Sequence, residues 1–185
     1  AQDNRIDTVR HDAPELASFG DYDIGVRTLE FVDPDRIDIL NTDRGGEHAI
    51  YDRSLTLEIW YPAELATGQE PGGEYQAITR NPAITATLAG TAVRDAEPSS
   101  EDARYPLVII SHGYPGNRFL ISHIGENLAS KGYVVASIDH TDSTYDDQQA
   151  FQSTLYNRPL DQRFVLDTLD NLSNDSDSFL NGLLD

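Results

Sequence analysis

The sequence predicts an α/β fold in which antiparallel N-terminal strands lead into a parallel βαβα sheet. Two segments, "DYDIGVRTLEFVD" (21–33) and "SLTLEIWYP" (54–62), alternate apolar and polar residues as half-buried strands do. A third segment, "PLVIIS" (106–111), is a continuous apolar run, which is typical of a strand buried on both faces of a parallel sheet. Amphipathic helical patterns follow this third segment and complete the α/β arrangement.

The N-terminal half is predicted to hold two antiparallel strands after an irregular lead-in over residues 1–20. Asp33-Pro34 is expected to end the first strand. Residues 63–104 are rich in Gly, Pro and Thr, which predicts a long surface excursion with a short helix over 81–88. The residues expected to face the core are Ile24, Val26, Leu29 and Phe31 in the first strand, and Leu55, Leu57, Ile59 and Tyr61 in the second.

A βαβ unit is predicted over residues 106–139. Asn117 is placed to cap a helix over 118–131, and Gly132 suits the position that ends it. Residues 133–139 then form a strand parallel to the first, with the right-handed crossover that such units adopt. The expected buried stripe of this helix is Leu120, Ile124 and Leu128.

A second helix is predicted after a polar loop over 139–157. Pro159 suits its first position, because a proline lacks the N–H that would be unpaired there. Its expected buried stripe is Leu160, Phe164, Val165, Leu169 and Leu172.

Composition limits the partners. The 185 residues carry 13 basic and 32 acidic side chains, a net charge of −19, so we expect no nucleic acid as a partner. No apolar run approaches the roughly 18 residues that span a membrane. The chain has no Cys, which excludes a thiol nucleophile, and no Met. Its opening "AQDNRID" is typical of a processed N-terminus, which predicts a secreted or periplasmic protein.

The loop "SHGYPGNR" (111–118) joins the buried strand to the predicted helix. An ester hydrolase stabilises its negatively charged intermediate with backbone N–H groups fixed beyond a strand end, and one donor is typically worth about 3 kcal/mol. We predict that the Tyr114 N–H is such a donor, with Gly113 permitting the tight turn and Gly116 returning the chain to the helix. In the alternative interpretation, the two glycines only shape a βα turn.

The motifs around this loop carry a family resemblance. Residues 106–147 and "NRPLDQRFVLDTL" (157–169) resemble the secreted α/β-hydrolases grouped as predicted dienelactone hydrolases. Those are similar to the platelet-activating-factor acetylhydrolases and, more distantly, to bacterial cutinase-like polyesterases. "RSLTLEIWYPA" (53–63) and "GTAVRDAEP" (90–98) add to the resemblance. It implies a Ser-His-Asp carboxylesterase, lipase-like or polyesterase-like, in which this loop supplies an oxyanion donor; it fixes neither the acyl group nor the alcohol.

The nucleophile that the resemblance implies is missing from its expected pattern. No serine lies in the G-x-S-x-G elbow that presents the nucleophile in this fold. Ser111 precedes His112 directly, but adjacent strand residues point to opposite faces, and no strand-to-helix elbow surrounds Ser143. Because the triad order is serine, acid, histidine, the whole triad is predicted beyond residue 185.

It follows that residues 21–185 are expected to be the N-terminal part of one α/β-hydrolase domain. The remainder would arrive as a C-terminal segment or a second chain beside the 106–111 strand, which would otherwise expose an apolar edge.

The remaining candidates concern binding. His112, Tyr114, Pro115 and His140 are the predicted substrate-binding residues; for His140, a hydrogen-bonded position within its loop is the alternative. Arg118 and Arg158 are expected to pair with acidic neighbours. The aspartates Asp139, Asp142, Asp146 and Asp147 do not match a calcium-binding loop, so neither a metal nor a cofactor is predicted.

The leading interpretation is a secreted serine esterase acting on small-molecule or polymeric esters. Two alternatives stay open: a catalytically inactive α/β-hydrolase-like binding or assembly subunit, and a hydrolase of amide or peptide bonds.

Overall fold

The computed structural model describes residues 4–43, 45–100 and 104–185. The elements are β1 (Asp23–Ile37), β2 (Ile50–Glu64), β3 (Gly73–Ile78), β4 (Thr85–Gly90), β5 (Val93–Arg94), β6 (Glu97–Pro98), β7 (Leu107–Ser111), α1 (Ser122–Ala129), β8 (Val134–Asp139) and α2 (Phe151–Ser173). The sheet has the order β5-β1-β2-β8-β7, β6 joins it beside β2, and β3 pairs with β4 in a separate hairpin. Antiparallel strands thus lead into a parallel βαβα arrangement, as predicted.

Strands β1 and β2 form the predicted antiparallel pair, but β1 does not end at Asp33-Pro34. It continues to Ile37 through a register shift between Asp33 and Arg36, where Asp35 adopts a φ of +57°. The prediction failed because a bulge tolerates a proline that has no N–H for the ladder.

The segment predicted as a surface excursion with a helix at 81–88 is instead the β3–β4 hairpin. Its strands alternate, and the inward residues Tyr75 and Ala77 are buried. The lead-in also pairs with this hairpin, because the Ile6 N–H donates to the Ala89 carbonyl at 2.8 Å. Short Thr- and Ala-rich strands carry a weak apolar signal, which explains why the sequence alone did not separate them from a loop.

Helix α1 begins four residues later than predicted and presents a different face to the sheet. Asn117 does act as a cap, but of the preceding turn, since its side-chain oxygen accepts the Phe119 N–H at 2.9 Å. Two residues of the predicted stripe, Leu120 and Ile124, are exposed, whereas the third, Leu128, is half-buried against the core. The buried side consists of Ser122, Gly125, Glu126 and Ala129, because Trp60 fills the space beneath and a Cβ on Gly125 would lie 2.7 Å from its ring.

Helix α2 begins at Phe151, so Pro159 lies inside it and not at its start. Polar tertiary contacts hold the two extra turns, since the Ser153 hydroxyl donates to Asp142 at 2.7 Å and Thr154 bonds to Ser143 at 2.7 Å. Val165 and Leu169 are buried as predicted, whereas Leu160 is exposed and Phe164 and Leu172 are half-buried. Asn157 and Asp161 take the remaining buried positions.

The core lies on both faces of the sheet. One cluster joins the predicted face of β2, including Leu55 and Ile59, to Val165 and Leu169 of α2. The other joins Trp60 to the hairpin and α1. Within the described ranges, no helix has the length and hydropathy that crossing a membrane requires.

Strand β7 lies at an edge of the sheet, and in the described part of the chain only β8 pairs along it. The Pro106 carbonyl accepts the Val134 N–H, whereas the preceding Tyr105 bonds to Leu183 at 2.8 Å and to Asp185 at 3.0 Å. Because successive residues of a strand bond to opposite sides, residues 183–185 lie on the side away from β8. There they begin a parallel pairing with the start of β7.

Candidate active site

The loop that follows β7 lies at the carboxyl end of the parallel strands, where ligand sites of such sheets occur. Its far end is fixed by the chain after β8: the Gly116 N–H donates to the Ser143 carbonyl at 3.1 Å, and the Tyr145 N–H donates to the Gly116 carbonyl at 3.1 Å. The Tyr114 hydroxyl donates to the Gln149 carbonyl, and its ring contacts Phe151. The loop is therefore anchored at both ends.

His112 is buried beneath the loop and holds it from inside. Its Nδ1 lies 2.6 Å from the Gly113 carbonyl, while its Nε2 accepts the backbone N–H of His140 at 3.2 Å. These partners require a neutral ring with the proton on Nδ1. Burial is the main cause that lowers the pKa of His112 to about 4, with smaller contributions from His140 and Arg158.

Arg158 of α2 also binds this loop. Its guanidinium donates to the His112 carbonyl and, at 2.9 Å, to the Gly113 carbonyl. The prediction that Arg158 pairs with an acidic neighbour is therefore wrong, because its partners are backbone carbonyl groups. Arg118 does pair as predicted, with Glu58 at 3.3 Å and with Asp139.

Two backbone N–H groups of the loop, those of Gly113 and Tyr114, are available to a ligand. Across residues 4–43, 45–100 and 104–185, neither the Gly113 N–H nor the Tyr114 N–H has a hydrogen-bond acceptor. A Cβ built on Gly113 meets no atom within 4 Å, so the space above this peptide is open. Gly116 differs, because a Cβ there would lie 2.7 Å from Nδ1 of His112. Gly116 thus allows the imidazole to approach the backbone, whereas the space at Gly113 stays free.

A Ser-His-Asp chain lies directly behind the loop. Ser111 Oγ is 2.9 Å from His140 Nε2, and His140 Nδ1 is 2.9 Å from Asp161 Oδ2. Ser111 is exposed, whereas His140 and Asp161 are fully buried. Ser111 bonds to His140 and not to His112, which agrees with the opposite directions of adjacent strand residues. The sequence pattern around Ser111 does not reveal this arrangement, because α2 brings Asp161 to the sheet from a distant part of the chain.

Asp161 is also the centre of a buried ionic network. Arg53 donates to it from Nε at 2.8 Å and from a terminal nitrogen at 2.9 Å, and Arg36 donates at 3.2 Å. Burial alone would raise the pKa of Asp161, but the hydrogen bonds from His140 and Arg53 outweigh it and the net shift is downward. The carboxylate is therefore ionised and already compensated by guanidinium groups.

This environment disfavours His140 as a general base. A triad histidine must take the serine proton and become an imidazolium. Burial is the main cause that lowers the pKa of His140; Arg158 and Arg53 lower it as well, and Asp161 opposes them. We therefore interpret the Ser111–His140–Asp161 chain as a network that joins β7, β8 and α2. Because its imidazole is buried, we propose for His140 a role in this network in place of direct contact with substrate.

A polar cleft of about 360 Å³ opens beside the loop. Asn117 and Arg118 line it where the chain leaves the loop, and Asp139, Asp146 and Asp147 line it from the end of β8. In the part of the chain that the structure describes, no three His, Asp or Glu side chains are grouped as metal ligands. The cleft gives the C-terminal end of the loop a polar border.

The sequence did contain a signal for the residues that were missed. Asn157, Asp161, Val165 and Leu169 recur every fourth residue along α2. A carboxylate that continues an apolar stripe is expected to be buried and paired. Arg158 had no comparable signal, because its partners are carbonyl oxygens that the sequence does not reveal.

Comparisons with known proteins assign the chain. A family model described as platelet-activating factor acetylhydrolase, isoform II, matches residues 51–167, which include the loop, His140 and Asp161. The chain belongs to this family. Platelet-activating factor acetylhydrolases from Bos taurus and Cavia porcellus are 45% identical over 67 residues and 43% identical over 47 residues. These matches cover 31% and 25% of this chain, but only 15% and 11% of the two relatives.

The fold is that of an α/β-hydrolase. A structure described as a ferulic acid esterase from Streptomyces cinnamoneus superposes with a TM-score of 0.61 at 24% sequence identity. The match covers 98% of this chain and 52% of the esterase, so the chain spans about half the length of that neighbour. The resemblance stated from the sequence motifs is thus confirmed at the level of family and fold.

Proposed function

We propose that the protein containing this chain hydrolyses carboxylic esters, and that the Tyr114 N–H donates to the oxyanion of the tetrahedral intermediate. The observation that carries the proposal is the pair of N–H groups at Gly113 and Tyr114, which have no acceptor among the described residues and border an open space at the carboxyl end of β7. His112 supports the loop from below, and Tyr114 and Pro115 form its rim toward substrate. Family membership favours an ester over an amide or a peptide bond, because the relatives are acetylhydrolases.

We further propose that the serine, acid and histidine of the triad lie beyond residue 185. Two observations support this. Ser111 belongs to β7 and lies in no G-x-S-x-G elbow, so the Ser-His-Asp chain in the described residues lacks the strained turn that presents a nucleophile. Among the described residues, no strand pairs along the edge of β7 away from β8 beyond the first contacts of residues 183–185, which run parallel to it. A strand that continued along this edge would present its carboxyl end beside the Tyr114 amide, where a nucleophile is needed.

Two assays on two forms of the protein test both parts. We would measure hydrolysis of p-nitrophenyl acetate, and labelling by a fluorophosphonate, for the 185-residue chain and for a longer form that continues past Asp185. We expect the longer form to turn over and to be labelled, and the 185-residue chain to do neither.

The other outcomes are informative. If the longer form neither turns over nor is labelled, the ester hydrolase proposal fails and an inactive binding subunit is favoured. If the 185-residue chain is labelled and the Ser111→Ala variant is not, Ser111 is the nucleophile and the proposal of a distant triad fails.

A further inference from the structure

We propose that Arg158 is the positioning residue of the oxyanion site: by binding two consecutive carbonyl groups, it turns the Gly113 and Tyr114 N–H groups toward substrate. This inference rests on the proposed function. The guanidinium donates to the carbonyls of His112 and Gly113, which belong to the peptide groups whose N–H groups are those of Gly113 and Tyr114.

Peptide geometry links these contacts to the direction of the donors. The His112–Gly113 and Gly113–Tyr114 peptide bonds are trans. In a planar trans peptide, the C=O and the N–H point in opposite directions. When Arg158 holds both carbonyl oxygens on the α2 side of the loop, both N–H groups must point away from α2. The space beside Gly113 is open, since a Cβ built on it meets no atom within 4 Å.

The charge of Arg158 adds to this effect. A hydrogen bond from a cation is shorter and stronger than one from a neutral donor, and it polarises the peptide that accepts it. A polarised peptide has a more positive N–H, which is a better donor to an oxyanion. Among the described residues, no carboxylate forms an ion pair with Arg158, and its charge acts on these two peptides as well as on the nearby His112, His140 and Asp161.

The remaining contacts of the loop do not replace this arginine. His112 Nδ1 shares the Gly113 carbonyl but reaches no second carbonyl, and the bond from Gly116 to Ser143 fixes the loop two residues further on. Of the residues that the structure describes, Arg158 alone binds both peptides, in the forked geometry that a guanidinium provides. Its own place is set by α2, which Arg53 ties to the sheet through Asp161.

The test compares Arg158→Gln with Arg158→Lys in the form of the protein that hydrolyses p-nitrophenyl acetate. Glutamine should lower kcat about 100-fold with little change in KM, because one oxyanion donor is typically worth about 100- to 1000-fold in kcat. Lysine keeps the charge but loses the fork and should recover part of the loss. The matched control is Arg163→Gln on the same helix, whose side chain is 81% exposed, and it should leave kcat unchanged.

Chemical rescue and amide spectra separate positioning from a structural effect. Added guanidinium ion should restore part of the activity of Arg158→Gly, and the Tyr114 amide resonance should shift in Arg158→Gln while the melting temperature stays close to that of the control. A kcat of Arg158→Gln within threefold of wild type would overturn the inference, as would a loss of kcat that no rescue reverses together with an unmoved Tyr114 resonance. Failure of the wild-type protein to hydrolyse the ester would instead refute the proposed function.

Discussion

Replacing Asp161 by Asn removes the charge at the centre of the buried network while preserving the side-chain shape. The carboxylate accepts three hydrogen bonds from arginines, at 2.8, 2.9 and 3.2 Å, and a fourth from His140 at 2.9 Å. The NH₂ group of the new asparagine would face one of the N–H groups that the carboxylate now accepts. Arg53, which is 1% exposed, would lose its main counter-charge.

The expected cost is about 4 kcal/mol of unfolding free energy, because breaking a buried ion pair typically costs roughly 3–5 kcal/mol. The loss of all four charge-assisted hydrogen bonds would cost more than this. We expect the smaller value because Arg53 still donates to Asp142 at 2.9 Å and to the Thr141 carbonyl at 2.7 Å. For a chain of this length, about 4 kcal/mol corresponds to a fall in melting temperature of roughly 8–16 °C.

The assay is urea unfolding followed by tryptophan fluorescence, since Trp60 is the sole tryptophan and is fully buried. The matched control is Asp167→Asn on the same helix; its side chain is 64% exposed, so the free energy should change by less than about 0.5 kcal/mol. A cost below about 1 kcal/mol for Asp161→Asn would refute the reasoning. In a double-mutant cycle, the Arg53→Met/Asp161→Leu double variant should lose less unfolding free energy than the sum of the losses of the two single variants.

Three further predictions concern the loop and the hairpin. The pKa of His112 is lowered to about 4 in the folded state, so protons bind the unfolded state preferentially, and the free energy of unfolding should fall by up to about 3 kcal/mol between pH 6.5 and pH 4. In unfolding curves taken across that range, His112→Asn should flatten this pH dependence, whereas the control His48→Asn should not. Gly116→Ala should lower both the melting temperature and the rate of ester hydrolysis, because its Cβ would collide with the His112 imidazole, whereas Gly113→Ala should lower only the rate of hydrolysis. Equal melting temperatures for the two variants would contradict this. Glu126→Gln should lower the free energy of unfolding by about 2–4 kcal/mol, because the buried carboxylate accepts hydrogen bonds from the Tyr75 hydroxyl at 2.5 Å and from two backbone N–H groups. We expect faster hydrogen exchange in the β3–β4 hairpin, and unchanged exchange would count against this prediction.

The sequence by itself determined the parts of the fold that depend on local pattern. Alternation over residues 54–62 identified one of the two buried faces of β2, and the apolar run at 106–111 identified β7. The motif "SHGYPGNR" located the loop, because a βα turn with unpaired N–H groups has a recognisable sequence. Such features need only neighbours within a few residues, and a linear pattern records them.

Tertiary structure alone decided which side chains support the loop. Residues 158 and 161 lie at the end of β7 because α2 packs there. The partners of Arg158 are two backbone carbonyl groups of the loop, and those of Asp161 are a histidine and two arginines from other elements. The rotation of α1 was decided the same way, by the space that Trp60 occupies beneath Gly125. The free energy gained by burying a side chain depends on the surface against which it packs. The sequence pattern of one segment carries no information about that surface, which other segments supply.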